Sequence, residues 1–173
     1  GQVILSSIMR DDIIQKINVV DCIDIIKTVK PAYWTTSDGE TYLNEHDFGL
    51  KELNRLSFFT KAIMLHCPEA IPLGHVKGSN DQQIKMHLSW LESQGISNFI
   101  FHTGDFFRNG VESKIQIAKH ICSIIKKPTN TLILYGFGSQ KNLEAFSFAD
   151  AYITYSHVIM AQKRLMFEGR KRK

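Results

Sequence analysis

Cysteine is scarce in this sequence. Its three cysteines, Cys22, Cys67 and Cys122, are far apart, and each lies within an apolar, helix-like stretch. An odd number of separated cysteines argues against a disulfide framework, and no Cys-x-x-Cys pair indicates a zinc site. We therefore expect reduced core cysteines in a cytoplasmic protein that carries no metal and no other cofactor.

Long apolar runs are also missing. No stretch has the length of a transmembrane helix and no signal peptide is visible, so we expect no membrane association. Repeats, linkers and low-complexity segments are absent, and a chain of 173 residues can bury one hydrophobic core. The sequence therefore predicts a single domain over residues 1–173.

Most of the chain has no excess of positive or negative charge. The net charge is +4, whereas residues 163–173 hold six lysines and arginines against one glutamate, a surplus of five. The rest is therefore close to neutral. This basic tail (163–173) is either a solvated terminus or an arm that contacts the phosphates of nucleic acid.

The chain does contain a repeated order of short apolar run, polar glycine-containing loop and amphipathic helix. The loops follow strand-like runs at 32–36, 71–76, 98–101 and 131–135, and further strands are predicted at 3–6 and 151–155. This order is typical of parallel α/β folds. Because a complete eight-stranded barrel usually needs a longer chain, we predict a partial (β/α) TIM-like barrel, with an open doubly wound sheet as the alternative.

Helices are predicted between these strands by apolar spacing and cap residues. The expected helices cover 11–30 with Asp21 as a cap, a stretch ending at Pro68, 80–94 capped by Asn80, 111–125, a short helix from Ser139 to Phe148, and a last one from His157 to Phe167. Loops after parallel strands meet at the carboxyl ends of those strands. We therefore expect their polar residues to form a single site.

Asp38 is the first candidate of that site. Its carboxylate can accept hydrogen bonds from an amidine-like edge, such as N1–H and the exocyclic amine of guanine, or act as a general base. The alternative is turn chemistry before Gly39.

The next two loops supply further candidates for substrate binding. His75 and Lys77 alternate along a strand and share a face, and backbone amides after Gly78 can bind an anion. His102, Gly104 and Asp105 follow the next strand, where Gly104 allows a flat ligand to approach the backbone. The alternatives are a packed histidine, a surface lysine and a tight turn.

The last loop contains Gly136, Gly138 and Ser139. A dinucleotide fingerprint is excluded because Lys141 occupies the position of its third glycine. The loop matches the phosphate-binding turn of barrels, with a purely structural turn as the alternative.

Taken in order, these stretches resemble the tRNA-guanine transglycosylase superfamily over about residues 32–161. The similar stretches are Ser37-Asp38-Gly39-Glu40-Thr41-Tyr42, Pro72 to Ser79, Gly95 to Gly104, Tyr135-Gly136-Phe137-Gly138 and Phe148-Ala149-Asp150. The resemblance implies that Asp38 reads the guanine edge, that Lys77 stands where a glutamine normally contacts the base, and that the Gly104 amide meets the base carbonyl. The nucleophilic aspartate of the family falls near Ile153, so Asp150 is the carboxylate considered in its place.

The resemblance implies exchange of guanine for a 7-deazapurine in nucleic acid, in tRNA rather than DNA, with Asp38 and Asp150 as catalytic candidates. One alternative is a non-catalytic nucleic-acid-binding subunit of such an enzyme. The other is an unrelated barrel enzyme that binds a phosphorylated small molecule. Because an incomplete barrel exposes sheet edges, we expect a homo-oligomer or a partner subunit.

Overall fold

The computed structural model describes residues 3–8, 13, 16–42, 45–107, 112–136 and 144–153, without the side chains of Asp105 and Phe107, and the backbone of 167–168 and 171–172. One sheet contains the strands β1 (Ile4–Leu5), β2 (Tyr33–Thr35), β3 (Ile71–His75), β4 (Asn98–His102), β5 (Thr131–Tyr135) and β6 (Ala151–Ile153). The helices are α1 (Val19–Val29), α2 (His46–His66), α3 (Asp81–Ser93), the short α4 (Gly104–Phe107) and α5 (Glu112–Ile125). A 3-10 turn covers Glu144–Phe146, and β7 (Phe167–Glu168) pairs antiparallel with β8 (Lys171–Arg172).

The sheet is parallel, and its strand order follows the chain order from β1 to β6. A doubly wound sheet reverses its strand order at a switch point, so that alternative is excluded. The six strands curl into an open half-barrel. The predicted partial parallel barrel is therefore confirmed.

Two apolar clusters fill the space between sheet and helices. In the larger one, Phe99 and Leu132 of the sheet pack with Leu91 of α3 and Ile125 of α5. In the smaller one, α1 and α2 pack on Trp34, whose indole N–H donates to the carbonyl of Ala70 at 3.1 Å. Each helix therefore packs on the strands next to it in the chain. This packing fixes the strands, and with them the loops at their carboxyl ends.

The concave face of the half-barrel carries an apolar row near the amino ends of three strands. Ile4 is in register with Tyr33, and Tyr33 with Ile71, so the three side chains are neighbours on one face. Ile4 is 43% exposed and Ile71 is 46% exposed. We call these three residues the concave row.

The predicted helix ends agree with the structure at the end of α2 and in α3 and α5. They are wrong at the start of α1 and for the helix predicted to run to Phe148, whose described part is only the 3-10 turn Glu144–Phe146. The cap of α1 is Asn18, whose side chain accepts from the Asp21 N–H, while the Asp21 carboxylate accepts from the Asn18 N–H. Asp21 is thus the third residue of a capping box and not the cap itself. Gly95 ends α3 with φ of +81°, as a left-handed cap position requires.

Some predicted elements lie outside the described residues. These are the final helix, apart from Phe167 in β7, and the cap at Ser139. None of the described helices combines the length and apolar content that crossing a membrane requires.

Candidate functional site

A cavity of about 320 Å³ lies at the carboxyl ends of β2, β3 and β4. Its polar lining comes from the loop after β2, the end of β3 with the following loop, and the end of β4. The lining residues that the sequence predicted are Asp38, His75, Lys77, Gly78 and His102. The structure therefore brings residues from three separate stretches of the chain together around one space.

Asp38 is the centre of this cluster. Its Oδ1 lies 3.0 Å from Lys77 Nζ and 3.5 Å from His75 Nδ1, and it accepts from the Gly39 N–H at 2.8 Å. Its side chain is only 9% exposed. Within the described part of the chain, the closest contacts of all three partners are with Oδ1, and Oδ2 accepts no hydrogen bond. Oδ2 of this largely buried carboxylate is thus ready to accept from a ligand.

The backbone explains why Asp38 reaches the end of the neighbouring strand. Pairing of β2 with β3 continues to the Thr36 N–H, which donates to Leu73 O. Beyond that point the His75 N–H donates to the Thr36 hydroxyl at 2.8 Å. A side chain thus replaces the main-chain acceptor, and the residues after Thr36 leave the sheet and cross over the end of β3.

The charges of the cluster favour an ionised Asp38. Burial alone would raise the pKa of this carboxyl, but electrostatic interaction with His75 and Lys77 and the hydrogen bonds from Lys77 and Gly39 outweigh it, and the pKa is lowered. Complete burial lowers the pKa of His75 to about 3, so its ring is neutral at pH 7. Lys77 therefore supplies the charge that balances the carboxylate.

His75 adds a second polar atom without a satisfying partner. Its Nδ1 is buried and makes no hydrogen bond, because the 3.5 Å to Asp38 Oδ1 is an electrostatic contact only. Buried polar atoms without partners are costly and are concentrated at functional sites. His75 lines the cavity, so this unsatisfied atom belongs to the same cluster as the Asp38 carboxylate.

The backbone at Lys77 is fixed by a residue that the sequence did not indicate. His87 on α3 accepts at Nδ1 from the Lys77 N–H at 3.0 Å. Burial lowers the pKa of His87 to about 4, which keeps the ring neutral and able to accept. The contact joins a helix to a loop ten residues earlier, and no local pattern predicts it.

His102 explains both glycines beside it. A Cβ on Gly104 would lie 2.8 Å from His102 Nε2, and one on Gly136 would lie 3.1 Å from it. Gly136 also has φ of +82°. These glycines make room for the imidazole, and neither belongs to the lining of the cavity.

Asp150 does not join the site. It precedes β6 at the amino ends of the strands, where its carboxylate accepts from the Leu132 N–H and pairs with Lys126 Nζ, both at 2.7 Å. The cavity lies at the opposite ends of the strands. Ile153 is the last residue of β6 and is half-buried at the cavity's edge of the sheet. The geometry thus separates the two carboxylates that the sequence grouped as catalytic.

Three predicted residues lie wholly or partly outside the described residues. They are Gly138, Ser139 and the side chain of Asp105. Phosphate binding by the loop after β5 stays a prediction.

Sequence reasoning overlooked part of the lining. Glu40 and Tyr42 line the cavity, and the Tyr42 hydroxyl donates to Glu40 Oε2 at 3.0 Å. Phe106 of α4 adds an aromatic wall; from the sequence it is a candidate either to stack on a base or to cover the core. The signal was available, because Glu40 and Tyr42 alternate with Asp38 along the same loop. In the described part of the chain, no three histidine, cysteine or acidic side chains are grouped to hold a metal ion.

Neither family models nor curated proteins supply a relative: no family model matches this chain, and no curated protein matches it. Its function therefore has to be argued from the cavity itself.

Proposed function

We propose that the cavity binds guanine or a 7-deazaguanine base, in a tRNA-guanine transglycosylase-like exchange of guanine for a 7-deazapurine in tRNA. One observation carries the proposal. A buried carboxylate with an open Oδ2, on Asp38, lies beside an ammonium donor, Lys77 Nζ, at the wall of one cavity. The resemblance of the loops supports the same ligand.

The donor and acceptor pattern of guanine fits this pair. Guanine carries a donor, N1–H, next to an acceptor, O6, so Asp38 Oδ2 can accept from the first while Lys77 donates to the second. Adenine has a lone pair at N1, which would face the carboxylate. The pair therefore favours guanine over adenine.

The burial of Asp38 restricts how a nucleic acid can present its base. A stacked base cannot reach a side chain that is 9% exposed, so the nucleotide must leave the stack. Unstacking costs least in single-stranded loops, which favours tRNA over duplex DNA. Three cysteines without a disulfide support a reducing compartment, and we place the protein in the cytoplasm.

Isothermal titration tests the binding step. We expect guanine and 7-deazaguanine to bind the wild type and adenine not to bind. Asp38→Asn and Lys77→Met should each weaken guanine binding by about tenfold or more, because hydrogen bonds to charged groups contribute roughly 1.5–3 kcal/mol.

Asp150→Asn is the matched control, since Asp150 is also paired with a lysine but lies at the other ends of the strands. Its guanine affinity should equal that of the wild type. Equal binding of adenine, or an equal loss in Asp150→Asn, would contradict the proposal.

A second candidate function is a base-binding subunit without exchange activity. The observation that favours it is the separation of Asp150 from the cavity, together with the apolar Ile153 where the resemblance places a nucleophile. Incorporation of labelled guanine into tRNA separates the two candidates. Guanine binding without incorporation supports the subunit, whereas incorporation that Asp38→Asn abolishes supports the transglycosylase.

A further inference from the structure

We infer that Arg55, on α2 and outside the cavity lining, is a positioning residue that holds the Asp38 loop in its ligand-binding geometry. The inference rests on the proposed function for its ligand. Its principal observable is the titration of Asp38, which can be followed without any ligand.

The guanidinium of Arg55 contacts the Asp38 loop on the side opposite the cavity. Its Nη2 lies 3.4 Å from the carbonyl oxygen of Asp38 and donates to it. The loop thus presents its carboxylate to the cavity and its carbonyl to α2. A change in the contact with α2 would rotate or displace the carboxylate on the other side.

The guanidinium is itself held on two sides. Its Nε donates to both carboxylate oxygens of Glu52, at 3.1 Å and 2.9 Å, and Nη2 also pairs with Glu52. The ring of Phe59 lies 4.9 Å from the guanidinium carbon. A planar fork fixed in this way is a rigid anchor, which a lysine cannot reproduce.

Glu52 also contacts the loop directly. A Cβ on Gly39 would overlap Glu52 Oε1, so the backbone of Gly39 lies against that carboxylate. The Gly39 N–H is one of the donors to Asp38 Oδ1. Arg55 and Glu52 therefore both hold the Asp38–Gly39 peptide, through the Asp38 carbonyl and the backbone of Gly39.

Packing behind the loop is incomplete. A cavity of about 20 Å³ lies between Asp38, Ser37, Arg55 and Phe59. Because solid packing does not back the loop there, the polar anchor carries more of the positioning. Small displacements of a binding group are enough to lower affinity strongly.

Position and charge predict different results for two variants. Arg55→Lys keeps the positive charge, so a charge effect alone would leave the pKa of Asp38 unchanged. Glu52→Gln removes a negative charge, so a charge effect alone would lower that pKa. If position matters, both variants loosen the loop, weaken the contact with Lys77, and raise the pKa of Asp38 toward its ordinary value.

The experiment is a carbon-13 NMR titration of the Asp38 carboxyl in the wild type, Arg55→Ala, Arg55→Lys and Glu52→Gln. Lys61→Ala is the control, because Lys61 is also on α2 and lies over an aromatic ring, that of Trp90. We expect a raised pKa in the three loop variants and the wild-type value in the control. Guanine affinity should fall by about tenfold in Arg55→Lys and Glu52→Gln, with little change in the melting temperature.

An unchanged or lowered pKa in both Arg55→Lys and Glu52→Gln would overturn the inference, whatever Arg55→Ala shows. Failure of the proposed function looks different, because guanine then fails to bind the wild type while the pKa shifts persist. Guanine binding that is equally tight in the wild type and these two variants would leave the proposed function standing and reject the role of Arg55.

Discussion

Asp38 is buried and yet remains ionised, because Lys77 lies against it. Two charges that leave water recover their hydration energy only if they meet each other at hydrogen-bond distance. Asp38 Oδ1 also accepts from the Gly39 N–H, so the carboxylate organises its own loop as well as the cavity. Both ligand binding at Asp38 and the stability of the fold therefore depend on the ionised form of its carboxyl.

The pH dependence of stability should reveal that state. The folded-state pKa of Asp38 is below its value in the unfolded chain, so the ionised group stabilises the fold above the ordinary pKa of about 3.9, and this contribution is lost as the pH falls through the folded pKa. Asp38→Asn should lower the free energy of unfolding by roughly 1–3 kcal/mol at pH 7 and by much less at about pH 2. Urea unfolding at both pH values measures the difference.

Asp81→Asn is the comparison variant for that measurement. Its carboxylate pairs with His120 on the surface, and exposed pairs contribute about 0–1 kcal/mol. A loss in Asp38→Asn that is the same at both pH values would mean that ionisation of this group does not stabilise the fold.

The residues of the site differ in how far local sequence predicts them. His75 and Lys77 could be placed on one face from their alternation along a strand, and both lie within 3.5 Å of Asp38 Oδ1. His87 and Arg55 could not, because each lies on a helix and meets its loop only after packing. Local sequence patterns therefore predict residues that line the cavity, such as His75 and Lys77. The residues that hold the loops from behind, Arg55 and His87, are determined by tertiary packing.

Among the helices and strands, the most accurately predicted boundaries are those with a backbone reason. Gly95 ends α3 because its φ of +81° disfavours other residues, and Pro31 and Pro68 follow the ends of α1 and α2. The start of α1 was misplaced because Asn18 and Asp21 are both good caps, and only the capping box assigns their roles. Local sequence therefore predicts the end of a helix well when only one residue type can adopt the backbone conformation required there.

Gly95 offers a clean test of a helix end. No atom lies within 4 Å of the position a Cβ would take, so a substitution changes only the backbone preference. Gly95→Ala should destabilise the protein by about 1 kcal/mol and Gly95→Asn by less, since asparagine tolerates the left-handed region better. Denaturant unfolding of the pair measures both. Equal losses would show that backbone strain is not the cause.

At the scale of the molecule, the sheet formed by the described residues is open at both edges. Within the described residues, β1 and β6 each pair with a single strand, and the concave row of Ile4, Tyr33 and Ile71 stays partly exposed. Unpaired edges and exposed apolar rows are surfaces on which chains associate. The half-barrel shape therefore supports the expectation of a homo-oligomer or a partner subunit.

Sedimentation velocity can test self-association. We expect the wild type to show a rising sedimentation coefficient between about 1 µM and about 100 µM, and Ile71→Lys to weaken association by about tenfold or more. Because Ile71 is 46% exposed, the substitution should change the unfolding free energy by only about 0.5 kcal/mol. A wild type that stays monomeric throughout would leave a different partner chain as the alternative.

The global arrangement was only partly predictable. Alternation of strands and helices indicated the parallel sheet, but length did not distinguish a half-barrel from a doubly wound sheet, because both use the same units. The observed strand order decides it. The resemblance grouped Asp150 with Asp38 as the carboxylate considered in place of the nucleophile. Asp150 stands before its strand and Asp38 after, and that difference puts them at opposite edges of the sheet.

Consecutive strand order has a consequence for synthesis on the ribosome. The polar residues of the cavity and the contacts behind them all lie between residues 38 and 102, on neighbouring units. They include Asp38, Arg55, His75, Lys77, His87 and His102. Domains and their parts acquire structure as they emerge, amino-terminal portions first. Within the described residues, the nascent chain thus receives the polar side chains that line the cavity before β5 and β6 are translated.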